Sequence, residues 1–291
     1  MSKGKIYLIV SAVLYGIIPF LTTVAYRGGA NGITLTFFRS VISLPLLFVV
    51  ILTDKRNFAI TRKQFEKIVV LSVFGGVMPL LTLYLSYNYI STGLASTLHF
   101  IYPLIIILAT SVIYRHKPTK NILSSVVFVT VGIFMFADID TASSKVGIIL
   151  ALLSGIFYSF YVIYIDKSRL DRMDFFVLTF YVSAIMSASL LVFALFTDSL
   201  TLDISPVAWS FSVLISLAGT FGAMPLFQLG VRYEGAEAAG ILSTLEPITS
   251  IVLGALLLGE KVDTSQMFGA ALILFGVIIA QKKMHESVKA A

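Results

Sequence analysis

Ten long apolar runs, separated by short polar segments, make up most of the chain: about 5–26, 33–53, 67–88, 93–114, 121–138, 146–165, 174–197, 206–230, 236–258 and 265–281. Each is close to the roughly 20 residues that a helix needs to cross the hydrocarbon core of a bilayer. A membrane barrel would instead show segments of about ten residues with alternating polarity. Runs such as Leu104–Ile105–Ile106–Ile107–Leu108 and Ile251–Val252–Leu253–Gly254–Ala255–Leu256–Leu257–Leu258 show no alternation. The pattern predicts an all-α integral membrane protein of ten transmembrane helices. The first run, Ile6 to Ala25, is longer than the core of a signal peptide and carries Pro19. It is therefore expected to be a retained span.

The chain also repeats itself. At an offset of 144, Ser72 meets Ser216, Gly75 meets Gly219, Tyr89 meets Tyr233, Pro103 meets Pro247, Lys117 meets Lys261 and Gly132 meets Gly276. The first span aligns with the sixth at an offset of 143, placing Tyr15–Gly16 on Tyr158–Ser159. The expected units are residues 1–140 and 141–291, five helices each. Five is odd, so the second unit enters the membrane with the opposite orientation.

Composition supports lipid as the main solvent: 58% of residues are apolar, 12% are charged and the mean hydropathy is +0.96. A soluble domain carries about 25% charged residues. A net charge of +6 could suggest a nucleic-acid partner, but the basic residues sit in short connections, where they act as topology signals. With the N-terminus in the cytoplasm, 17 of the 21 lysines and arginines fall inside, while Arg27, Lys145 and Lys261 fall outside. This predicts a multi-pass protein of the plasma (inner) membrane with both termini cytoplasmic. There is no cysteine, which excludes thiol chemistry and cysteine-ligated metals. No phosphate-binding glycine loop, metal-spaced cluster or nucleophile–base pair is present, so no enzyme, cofactor or metal is expected. Inverted repeats are a plan of secondary transporters, with the substrate site where the halves meet.

Particular residues carry a family resemblance. They are Phe38–Arg39, Ser91–Thr92–Gly93–Leu94–Ala95, Tyr102–Pro103, Glu246–Pro247, Leu256–Leu257–Leu258–Gly259–Glu260, Gly269 and Gly276–Val277–Ile278. The chain resembles the drug/metabolite transporter superfamily, and within it the EamA-type ten-span carriers. It departs at Tyr15–Gly16, where Trp–Gly is frequent, and at Arg115–His116–Lys117, which stands where the second half has Gly259–Glu260–Lys261. The resemblance implies a gradient-driven exporter of amino acids, related metabolites or drugs. More distant relatives exchange phosphate esters and nucleotide-linked sugars. It also implies a cavity between the first, third, fourth, sixth, eighth and ninth spans, with the fifth and tenth at the periphery. A non-transporting sensor or a membrane-embedded enzyme is the alternative of another class.

Candidate site residues are the polar groups within the spans. Glu246 is the acid in the interior of a predicted span, and a carboxylate there costs several kcal/mol unless it is paired or protonated. It is expected to couple protons or hold a substrate amine, the alternative being a helix-packing pair. Arg39 either faces a substrate carboxylate or snorkels to the interface. His99, opposite Ser243 in the repeat, reads as a proton group or a hydrogen-bonding residue. Tyr102 is the repeat mate of Glu246, and Tyr84 that of Gln228. Tyr15, Tyr158 and Tyr161 add aromatic lining suited to amphipathic solutes, or else belong to interfacial belts. Pro19, Pro79, Pro103, Pro225 and Pro247 are expected bend points. Gly269 to Gly276 reads as a packing face, within the chain or between protomers of a homodimer. The expected partners are a small-molecule substrate and membrane lipid.

Overall fold

Side-chain caps begin several of the helices. Asn31 accepts the Thr34 N–H at 2.8 Å, Thr61 and Gln64 form a reciprocal capping box, and Ser205 accepts from Ala208 just before Pro206. The computed structural model describes residues 2–86, 88–90, 92–115, 118–135, 144–258 and 264–290. Among them the chain is all helical, with the helices α1 (Lys3–Arg27), α2 (Gly32–Thr53), α3 (Arg62–Ser86), α4 (Thr92–His99), α5 (Tyr102–Ile113), α6 (Lys120–Phe134), α7 (Lys145–Ser168), α8 (Phe175–Thr197), α9 (Pro206–Leu242), α10 (Leu245–Leu258) and α11 (Thr264–Ala290). Six of them, α1, α2, α3, α7, α8 and α9, are long and apolar enough to cross a membrane, and shorter apolar helices accompany them. Lys117 and Lys261, and the expected boundary at 140/141, lie outside the described residues.

Two expected spans are not continuous. The fourth breaks between α4 and α5, and the ninth breaks between α9 and α10. The cause is the same in both: Pro103 and Pro247 supply no N–H to the turn before them. Pro247 leaves the Ser243 carbonyl without its usual donor, and the Glu246 N–H takes it at 3.0 Å. The eighth and ninth spans are also not separated by a loop. A single residue, Gly235 at φ 79°, turns the backbone inside α9. The third and eighth spans share a second irregularity, since α3 is π-helical over Leu71–Val77 and α9 over Ser216–Ala223. In each, the residue before a proline reaches five residues back, Met78 to Val73 and Met224 to Gly219. Such π segments concentrate at functional sites.

The two halves interleave. α1 packs on α9 and α10 of the second half, and α7 packs on α3, α4 and α5 of the first. α2 meets its repeat mate α8, and α6 meets its mate α11. Individual contacts recur across the repeat. Ser11 donates to the Ala223 carbonyl at 2.8 Å, and its counterpart Ser154 donates to the Pro79 carbonyl at 2.9 Å. Thr36 donates to Tyr84 Oη at 3.3 Å, and Thr179 donates to Gln228 Oε1 at 3.1 Å. On α6 and α11, a Cβ at Gly132 would meet the Gly269 carbonyl at 2.6 Å, and one at Gly276 would meet the Ser125 carbonyl at 2.9 Å. The small-residue face of the tenth span is thus occupied by α6 of the same chain.

Hydrogen bonds between connections define two faces of the bundle. On the N-terminal face, Ser2 bonds Glu234, Lys67 bonds the Ser168 carbonyl, and Arg56 pairs with Asp54 and Asp174. On the far face, Asn31 bonds the Ser199 carbonyl and the Ser205 N–H bonds the Gly28 carbonyl. Asp174 has two roles, since it also caps α8 through the Phe176 and Val177 N–H groups. Asp174→Ala removes cap and ion pair together and should cost about 2–3 kcal/mol. The loss would be read as a lower unfolding midpoint in detergent micelles, with Asp174→Asn, which keeps a cap acceptor, falling between the variant and the parent.

Candidate functional site

Where the helices break and bend, they enclose a cavity of about 700 Å³, a volume typical of small-molecule sites. The cavity sits half-way along the helices and extends towards the far face. Its lining there comes from the C-terminal half of α1 (Tyr15 to Tyr26), the N-terminal half of α2 (Thr36 to Ser40) and the end of α3 (Leu80 to Tyr84). The resemblance implied six lining spans. The second and seventh join them here, contributing Arg39 and Ser183. α6 adds Ile133, and no described residue of α11 reaches the cavity.

Glu246 stands in the first turn of α10, where the free N–H groups of a helix start favour a negative charge. Arg39 is the cation that bears on it electrostatically, yet the two form no ion pair within 4.0 Å. Arg39 does not run along α2 to the interface. Its Nε donates to Thr220 Oγ1 at 3.0 Å on the π segment of α9, and its guanidinium lies 5.5 Å from the centre of the Tyr15 ring. The close approach depends on Gly219, where a Cβ would stand 3.0 Å from Arg39 Cζ and Nε. A positive and a negative group therefore reach the same cavity from α2 and α10, with Tyr15 in the field of both.

The opposite wall is aromatic. Tyr102 and Tyr158 meet edge to face at 4.7 Å, Tyr158 and Tyr161 stack at 6.0 Å, and His99 lies 5.6 Å from Tyr102 and 5.4 Å from Tyr158. His99 Nδ1 is 2.7 Å from Ser154 Oγ. That hydroxyl gives its one proton to the Pro79 carbonyl, so His99 Nδ1 is the donor to Ser154. Tyr102 Oη lies beside Ser243, whose hydroxyl proton goes to the Ala239 carbonyl, and beside Glu246, and neither it nor Ser183 Oγ has a well-aligned protein partner. Both are left to satisfy a ligand or water.

Of the residues singled out from the sequence, Glu246, Tyr102, Arg39, His99, Tyr84, Tyr15, Tyr158 and Tyr161 line this one cavity, together with Pro19, Pro79 and Pro247. Gln228 stands behind its wall, with Nε2 3.5 Å from Tyr161 Oη. Ser243 is buried and donates to the Ala239 carbonyl at 2.7 Å. Pro103 and Pro225 are buried inside the helix packing. Pro19 is accommodated in α1 without interrupting it. Sequence reasoning missed Ser154, which fixes the His99 ring, and Thr220, which holds Arg39. The repeat contained a signal for Ser154, because Ser11 occupies the equivalent place.

Comparison with known proteins agrees with this architecture. The EamA-like transporter family matches twice, over residues 2–137 and 145–281. An uncharacterized transporter of Synechocystis, sll1319, is 26% identical over 206 residues, 69% of this chain and 62% of that protein, so the chain spans less than two thirds of its length. An uncharacterized transporter of Archaeoglobus fulgidus is 24% identical over 254 residues, 86% of this chain and 89% of that one. One solved crystal structure superposes with a TM-score of 0.83 at 15% identity, covering 98% of this chain and 99% of its own, which establishes a shared fold. With two matches covering nearly its whole length, and a cavity where they meet, the chain belongs to the EamA-like transporter family, as a multi-pass membrane protein with two EamA domains.

Proposed function

We propose that the protein is a secondary carrier that exports a small amphipathic solute, an amino acid or a related metabolite. Two inverted repeats, 1–140 and 141–291, would give alternating access, with Glu246 coupling protons or holding the substrate amine. The observation that carries this reading is the pairing of Arg39 and Glu246 in one aromatic-walled cavity without an ion pair between them. A zwitterion offers each of them its complement, and the tyrosines its apolar body. Access from one face and closure at the other suit a carrier better than a channel. The basic residues of the N-terminal face support a cytoplasmic orientation for it under the positive-inside rule, and the membrane of this reading is the plasma membrane.

Exchange of phosphorylated metabolites is the second reading. A doubly charged phosphate calls for several cations, and Arg39 is the basic side chain lining the cavity among the described residues. Purified protein in liposomes should exchange radiolabelled amino acids in counterflow, and an imposed pH gradient should drive net accumulation. Absence of counterflow across the amino acids and their amine and keto-acid relatives would end the carrier reading.

A further inference from the structure

At mid-depth both members of several repeat pairs line the cavity, Tyr15 with Tyr158 and Tyr102 with Glu246 among them, but towards the two faces the counterparts differ. Thr36 and Tyr84 line the cavity towards the far face. Thr36 is 3% exposed and bonds Tyr84 as its counterpart Thr179 bonds Gln228, so the difference lies in the second residue of each pair: Gln228 is 2% exposed, whereas Tyr84 is half-buried and open to the cavity. Leu83 also lines the cavity, while its counterpart Phe227 is buried against Tyr158 and Tyr161. Nearer the mouth, Thr23 and Tyr26 correspond to Asp166 and Arg169. Those two line a separate hollow of about 440 Å³ on the N-terminal face, with Tyr114, Lys167, Asp171 and Arg172. The N-terminal face therefore carries a hollow at its surface above a packed interior.

One hydrogen bond crosses the packed interior and another spans the rim of the hollow. Thr110 Oγ1 donates to Glu237 Oε1 at 2.9 Å, and Tyr114 Oη donates to Asp166 Oδ2 at 3.0 Å. Thr110 stands in the last turn of α5 and Tyr114 is its C-cap, four residues on, and they tie this end of the helix to α9 and α7. Their counterparts in the second repeat are Gly254 and Leu258, and those of Glu237 and Asp166 are Gly93 and Thr23. Gly254 and Leu258 have no side-chain donor, so the far face cannot repeat these bonds.

We propose that Phe227 and Gln228 line a second vestibule, leading to the N-terminal face, and that the Thr110–Glu237 and Tyr114–Asp166 hydrogen bonds are the latch that holds it shut. The proposal rests on the alternating-access reading above and adds to it which side chains exchange exposure and what biases the resting state. Tyr84 and Gln228 are the two ends of one switch: opening one end buries the other.

The cysteine-free chain suits a labelling test. Tyr84→Cys and Gln228→Cys, each made singly in the full chain, would be reacted in detergent micelles with a small maleimide. With the latch intact, Tyr84→Cys should react and Gln228→Cys should be protected. Adding Thr110→Val and Tyr114→Phe removes both donors with little change of shape. The ratio of the two labelling rates should then move by about 10- to 30-fold towards Gln228→Cys, the population change that two hydrogen bonds control. Removing the acceptors instead, with Asp166→Ala and Glu237→Ala, should give the same exchange and guards against a folding defect of one pair. Unchanged rates overturn the proposal. So do rates that rise together, which would mark a loosened bundle. Labelling needs no substrate. Reciprocal labelling without counterflow would count against the carrier and leave the latch standing, and counterflow with Gln228→Cys still protected would do the reverse.

Discussion

Glu246→Gln should abolish accumulation driven by a pH gradient. The side chain keeps its shape and can still accept and donate hydrogen bonds, but it can no longer take up and release a proton. Its surroundings explain why this site matters. It begins α10 at a proline-induced break, faces the cavity, and has no cation within ion-pairing distance. A carboxylate in an apolar bundle then gains from protonation or from a bound cation. With one proton per substrate, a gradient of one pH unit sustains roughly tenfold accumulation, since each tenfold is about 1.4 kcal/mol. The variant should show none, measured as the plateau of uptake into vesicles. Counterflow without a gradient separates the two roles: kept, it assigns Glu246 to coupling; lost for amines alone, it assigns the carboxylate to substrate recognition. A variant that still accumulates substrate removes both roles.

Arg39→Ala should weaken binding of any substrate with a carboxylate by about 30- to 150-fold, the equivalent of 2–3 kcal/mol for a charge-assisted hydrogen bond in a sheltered site. The guanidinium is placed by Thr220, by the Tyr15 ring and by the clearance at Gly219. Arg39→Lys should recover little, because an ammonium cannot bond Thr220 and a carboxylate in the same plane. The measurement is the concentration dependence of counterflow, with the substrate's amide as the control. The amide, lacking the carboxylate, should bind parent and variant alike, and an equal loss for both compounds would show that Arg39 supports the fold instead.

Much of this site was legible beforehand, because polar atoms inside a membrane are expensive and therefore few. Glu246, Arg39, His99 and the deep tyrosines stood out against apolar runs, and they meet in one cavity. The repeat was legible for a different reason: proline, glycine and tyrosine in one register are improbable by chance. What could not be read was which groups touch. Nothing in the sequence says that Arg39 crosses to Thr220, or that Ser154 fixes the His99 ring, since these partners are 181 and 55 residues apart. The breaks at 100–101 and 243–244 were foreseeable as bends at Pro103 and Pro247. Their depth was not, because it depends on how neighbouring helices satisfy the freed carbonyls. The π segments were invisible, since hydropathy is the same for an α-turn and a π-turn. Gln228 attracted notice as a polar residue in an apolar run, and it stands behind the wall because its amide is taken up by Thr179 and Tyr161.

The interleaving of the halves has a consequence for biogenesis. α1 finds its partners on α9 and α10, and Arg39 finds Thr220. Synthesis runs at about 5–20 residues per second, so α1 enters the membrane roughly 10–40 s before the segment that starts at Pro206. Over that interval Ser11 has no Ala223 carbonyl to bond and the Arg39 guanidinium has no Thr220. Lipid, interfacial water or the insertion machinery must solvate these groups until the second repeat arrives. A ribosome stalled between the repeats would leave a half-protein whose polar stripe is still looking for its mate, the form that membrane quality control is equipped to detect.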